Sequence, residues 1–179
     1  MPEPQEKSFE DFVKECAANE MDLPIANSTM DHAFIGSKYL ILKAQNKIRI
    51  VTDCFLKIFW ENLFTELKGF LQNKQDGIIE IVIVNWGAFH KEGAFDKLKS
   101  LTVDFADRVK VYDFQKKALI HKSPNFLSID DKGYRLELSD ERRKERLVEG
   151  VINFGDQATS TSLNTLFEQV KTISSPATF

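Results

Sequence analysis

A chain of 179 residues with 42% apolar content and 15 phenylalanines can bury the core of one domain, which excludes a disordered protein. Its 24 basic and 27 acidic residues leave a formal charge of −3, so there is no general pull toward phosphate backbones or anionic lipid. The longest apolar run, GIIEIVIVNWG, is interrupted by Glu80, and the acidic start MPEPQEK lacks the layout of a secretory signal; a cytoplasmic protein with no membrane partner is expected.

After a frayed start over residues 1–7, Ser8 is placed to cap a helix FEDFVKECAANE, with Phe9, Phe12, Val13 and Cys16 at helical spacing. MDLPIANS reads as a loop around Pro24, and Asn27 or Ser28 is placed to cap a second helix from Thr29 to Gln45, whose inner row is Met30, Phe34, Ser37, Ile41 and Ala44. NKIRIVTD alternates as a strand does, with Ile48, Ile50 and Thr52 on one face. CFLKIFWENLFTELKGFLQNK returns to helical spacing through Phe55, Phe59, Leu63 and Leu67 and ends at the turn signal QDG. IIEIVIV reads as a buried strand, and NWG follows where open α/β sheets place loops that touch ligands.

A helix carrying Phe95, Leu98 and Leu101 leads to a strand RVKVYDF, then to the strands FLSID and YRLEL joined by the turn residues DKG. Ser139 opens a short charged helix DERRKERL, GVINFG reads as a strand and DQATSTSLNTLFEQVKTI as the last helix, before a polar tail expected to be flexible over residues 174–179. No repeat or linker divides the chain, so residues 1–179 read as one α/β domain, a mixed, largely parallel sheet with helices on both faces.

The run ALIHKSPNFLSIDDKGYRLE, followed by VINFGDQATSTSLNTLFEQV, resembles one half of a phospholipase D superfamily protein across roughly residues 28–170. Active members carry HxKxxxxD on a strand and a GSxN-like turn further on, and two such motifs meet to form one site in which histidine attacks phosphorus. Aligning the family's aspartate on Asp130 puts Ser123 at the histidine position and Asn125 at the lysine position, and YRLELSD stands where the glycine–serine turn is expected. The combination is similar to a group of bacterial phospholipase D-like domains without the intact motif. It implies a catalytically inactive binding or scaffolding domain, paired as a homodimer or with another protein, whose cleft gathers Ser123, Asn125, Asp130, Arg135, Glu137 and Asn153 around a phosphate-like group.

His121 and Lys122 are the alternative catalytic pair of a phosphodiesterase or nuclease, but adjacent residues on a strand point to opposite faces, whereas the HxK pair shares one. A serine at position 123 has no base at fixed spacing to activate it. Asp130 and Asp131 suit a turn better than a carboxylate pair, while Arg135 and Glu137 on one strand face are expected to form an ion pair. His32 and His90 stand alone, and with Cys16 and Cys54 far apart no metal site or cofactor is expected. The basic residues of ERRKER are interleaved with Glu141 and Glu145, and together with QKKALIHK they give nucleic acid only fragments of a track. Phe55, Phe59, Trp60 and Phe64 spread around their helix and offer aromatic surface to a partner, unless one chain buries all four.

Overall fold

The computed structural model describes residues 7–114, 124–137 and 149–179. The charged helix expected after Ser139 falls outside these residues. Helix α1 (Phe9–Ala18) is capped by the Ser8 hydroxyl, which accepts from the Asp11 amide. The segment read as a loop around Pro24 instead supplies strand β1 (Ile25–Asn27), and Thr29 caps α2 (Met30–Lys43). Strand β2 (Lys47–Thr52) alternates as expected.

The long aromatic helix is a correction. Phe55 sits at φ 51°, and the chain forms only α3 (Lys57–Trp60), a 3-10 turn over Glu61–Leu63 and α4 (Phe64–Asn73). The apolar spacing runs through this region unbroken, but Leu56 bridges to Gly93 and the Phe55 carbonyl accepts the Ala94 amide at 3.1 Å. Partners about 40 positions along the chain therefore decide the local conformation.

Strand β3 (Ile78–Ile83), helices α5 (Trp86–Glu92) and α6 (Phe95–Asp104), and strand β4 (Val109–Asp113) follow. Strands β5 (Phe126–Ile129) and β6 (Gly133–Glu137) form the expected hairpin, with Asp130 at φ 47° in its turn. Strand β7 (Gly150–Asn153), helix α7 (Gln157–Thr172) and strand β8 (Ser175–Pro176) complete the order. The polar tail does not fray: β8 pairs with β4, and the Ala177 amide donates to the Val111 carbonyl at 2.9 Å.

One mixed sheet runs β1-β7-β6-β5-β2-β3-β4-β8. Its parallel part is confined to β2-β3-β4; among the described residues the other five pairings are antiparallel. A hairpin turn joins β5 to β6, and such a connection permits only antiparallel pairing. One face carries Ile48, Ile50, Ile79, Ile81, Leu127 and Ile152 against α2, α4 and α6, with α1 packed on α2. The other face buries Val51, Val82, Phe126 and Tyr134 under Leu163, Phe167 and Val170 of α7. Helices on both faces of a mixed sheet are the expected architecture.

Phe55, Phe59, Trp60 and Phe64 are all buried in the first of these cores. One chain buries all four, so they offer no aromatic surface to a partner: Phe55 stacks on Trp60 at 4.4 Å between centroids and meets Phe64 and Phe89 edge-on.

Candidate functional site

A cavity of about 370 Å³ opens where β2 ends and β5 begins, with α2 and α3 as its roof. Its polar lining comes from Ser37, Thr52, Asp53, Asn125, Arg135 and Glu137, and much of the remaining wall is apolar, including Met30, Phe59, Trp60 and Leu127. The volume and the mostly apolar wall are those of a small-molecule site.

Side-chain alternation builds the polar cluster. Asn125 precedes β5 on the face of Leu127, and Arg135 and Glu137 lie on the matching face of β6, where Leu127 pairs with Arg135. The Asn125 carboxamide is engaged at both ends: its Oδ1 accepts the Asp53 amide at 2.8 Å and its Nδ2 donates to Glu137 Oε2 at 3.2 Å. The expected ion pair exists, with Arg135 Nη2 standing 3.9 Å from Glu137 Oε2 and the guanidinium lying 5.4 Å from the Phe59 ring centroid. Cation–π contact and the carboxylate together offset the cost of burying the guanidinium.

Two residues of the expected cleft lie elsewhere. Asp130 is at the far end of β5, roughly 16 Å along the strand from Asn125 at strand rise, where its carboxylate accepts the amides of Gln45, Asn46 and Lys47 at 2.8–2.9 Å. The Asn164 amide of α7 donates to the Asp130 carbonyl at 2.7 Å and to Asp131 Oδ1 at 2.9 Å, which makes this a structural turn. Asn153 pairs with Tyr134 and so faces away from Arg135, whose partner is Ile152. Its Oδ1 accepts the Gly155 and Asp156 amides, and its Nδ2 donates to Asp22. Asp156 in turn caps α7, and the Thr159 hydroxyl and amide hold its carboxyl below the usual carboxylate range.

Ser123, His121 and Lys122 lie outside the described residues. His32 stacks on Phe9 at 3.7 Å, and exposed His90 packs beside Trp86 and Phe95, so each has a packing role, and neither lines the cavity. Among the described residues no cluster of three metal-ligating side chains occurs and no helix is long and apolar enough to cross a membrane. Sequence reasoning missed Ser37, Thr52, Asp53, Phe59 and Trp60 as cleft residues. A polar Ser37 in an otherwise apolar helix row was the signal available.

No family model and no curated protein matches the sequence. Solved structures do match. Nuc from Salmonella typhimurium, a phospholipase D family member, aligns at TM-score 0.64 and 10% identity over 88% of this chain and 100% of its own. The fold is that of the phospholipase D family. NucT from Helicobacter pylori aligns at TM-score 0.62 and 14% identity over 87% of this chain and 99% of its own. TrmBL2, an archaeal chromatin protein, aligns at TM-score 0.65 and 14% identity over 94% of this chain, which spans only 60% of that protein's length. Within the phospholipase D-like fold, the cavity of this chain opens beside Asn125, the residue aligned with the family lysine when Asp130 takes the family aspartate's place.

Proposed function

We propose that this chain is a binding or scaffolding domain that holds a small ligand in the cleft at Asn125, Arg135 and Glu137 and does not cut phosphodiesters. The observation that carries this reading is the state of Asn125: a neutral carboxamide at the lysine position, with both ends already engaged by Asp53 and Glu137. Stabilising the extra negative charge of a phosphoryl transition state calls for fixed positive charge and donors aimed at the oxygens, and the two carboxylates of the lining oppose it. Nowhere does the sequence contain HxK.

Hydrolysis of bis(4-nitrophenyl) phosphate and nicking of supercoiled plasmid, both in the presence of chelator, test the reading. No turnover is expected; turnover that His121→Ala abolishes overturns it. Pairing of two copies, which the resemblance implies, belongs to the same reading and is checked by sedimentation velocity at micromolar concentration.

A nucleic-acid binder without catalysis is the second reading, favoured by the likeness to TrmBL2, whose structure is described as showing a novel mode of DNA binding. It predicts retention of labelled DNA that falls steeply as salt rises. The net charge of −3 weighs against it.

A further inference from the structure

Ser37 stands in the inner row of α2, is 1% exposed and lines the cavity, and its Oγ has no hydrogen-bond partner in the protein. A buried hydroxyl without a partner is costly, and a helical serine ordinarily avoids that cost by donating to the carbonyl four residues back. Three hydroxyls of α7 do so: Ser162 donates to Ala158, Thr165 to Thr161 and Thr172 to Glu168, at 2.7–3.0 Å; Ser160 is buried without a partner as Ser37 is, but it does not line the cavity. Ser37 forgoes that bond. Nor is α2 free to withdraw, because Gly36 brings it so close to β7 that an added Cβ would meet Ile152 Cδ1 at 2.1 Å.

The charged groups of the wall are already compensated. Arg135 faces Glu137 and the Phe59 ring, and Asn125 ties Glu137 to the Asp53 backbone. With Asp53 and Glu137 against Arg135, the lining repels an anion more than it attracts one. The cavity is also lined by Phe59, Trp60 and Leu127, which solvate apolar carbon.

We infer that the cleft takes an uncharged aromatic or alicyclic molecule that presents one hydroxyl, carbonyl or amide to the Ser37 hydroxyl. The inference rests on the ligand-binding reading above and adds the class of ligand. It makes Ser37 a specificity-determining residue, since a site built around a hydrogen-bonding group discriminates against ligands that lack its complement.

Two measurements test it. In the unliganded protein, Ser37→Ala removes a hydroxyl that has no partner and should raise Tm by roughly 2–4 °C; a fall of that size means a structural hydroxyl and overturns the inference. Binding is then read in a Trp86→Phe background by Trp60 fluorescence and saturation-transfer NMR, with naphthalene, 2-naphthol and 2-naphthyl phosphate as probes. Wild type should bind 2-naphthol about tenfold more tightly than either of the others, and Ser37→Ala should lose about tenfold for 2-naphthol while binding naphthalene unchanged. Equal or preferential binding of the phosphate, undiminished binding of 2-naphthol by Ser37→Ala, or binding of none of the three overturns it. Preference for the phosphate leaves the ligand-binding reading standing, whereas cleavage of bis(4-nitrophenyl) phosphate sinks that reading instead.

Discussion

Three backbone amides converge on the Asp130 carboxylate, from the end of α2 and the start of β2. They are the donors that a chain leaving a helix and entering a strand must satisfy, and one side chain from 83–85 positions away supplies the acceptors. Asp130→Ala should therefore cost about 2–4 kcal/mol in urea unfolding while leaving ligand affinity in the cleft unchanged, because the site lies at the opposite end of β5. Asp130→Asn keeps one acceptor and tolerates the left-handed backbone, so about half of that loss is expected. The aspartate was legible in the sequence as a turn residue, since DDKG between two alternating runs has few other readings. Its span to Gln45, Asn46 and Lys47 was not, because no local pattern encodes which distant amides a carboxylate will reach.

At the scale of elements, α2 carries both a close approach to the sheet at Gly36 and the unpartnered hydroxyl of the cleft. Gly36→Ala should push Ile152 out of its rotamer or lift α2, costing about 1–3 kcal/mol in thermal or urea unfolding and weakening binding in the cleft through displacement of Ser37. Helix α7 is pinned to the other face by an ion cluster around the buried Glu80: partly exposed Lys171 places Nζ 2.8 Å from Glu80 Oε1, and Lys47 Nζ lies 3.4 Å from Glu80 Oε2. Lys171→Met leaves Glu80 with Lys47 and the Tyr112 hydroxyl as partners and should destabilise by about 3 kcal/mol, the low end for a broken buried pair because those two remain.

Elements with a local code were readable. The β-branched strands β2 and β3, the hairpin turn and the amphipathic α7 all announce themselves by period and by turn residues. What escaped was set by contacts distant in sequence. The break at Phe55 depends on Gly93 and Ala94, and β8 depends on the open edge of β4. The site divides the same way: Arg135 and Glu137 are legible from alternation on one strand and Asn125 from the family resemblance, whereas Ser37 and Trp60 arrive from helices whose placement only the assembled fold specifies.

For the molecule as a whole, these charges set the pH range of stability. Burial pushes the Glu80 carboxyl up, but the Lys171 hydrogen bond and the charges of Lys47 and Lys171 more than reverse it, and Asp156 is likewise lowered by Thr159. Groups with depressed folded values contribute stability that is present above their unfolded values, about 4, and is lost as pH falls through the lowered ones. Lys171 is displaced the other way: burial lowers it, yet the bonds to Glu80 and Glu168 raise it well above an ordinary lysine. Its contribution is full below about 10.4 and is lost as pH rises through the raised value. A Tm plateau between about pH 5 and pH 10 is expected. In Lys171→Met the acid midpoint should move upward and the alkaline limb should flatten, as read by scanning calorimetry across pH.

Both margins of the sheet are stubs: three residues of β1 at one side and, at the other, two of β8, one of them Pro176, which has no amide to donate. A lone further strand arriving at β1 or β8 would find few free main-chain groups to anchor itself. Among the described residues these short margins are poor templates for growth of the sheet into ribbons or fibres, which turns association toward side chains on the helical flanks or around the mouth of the cleft.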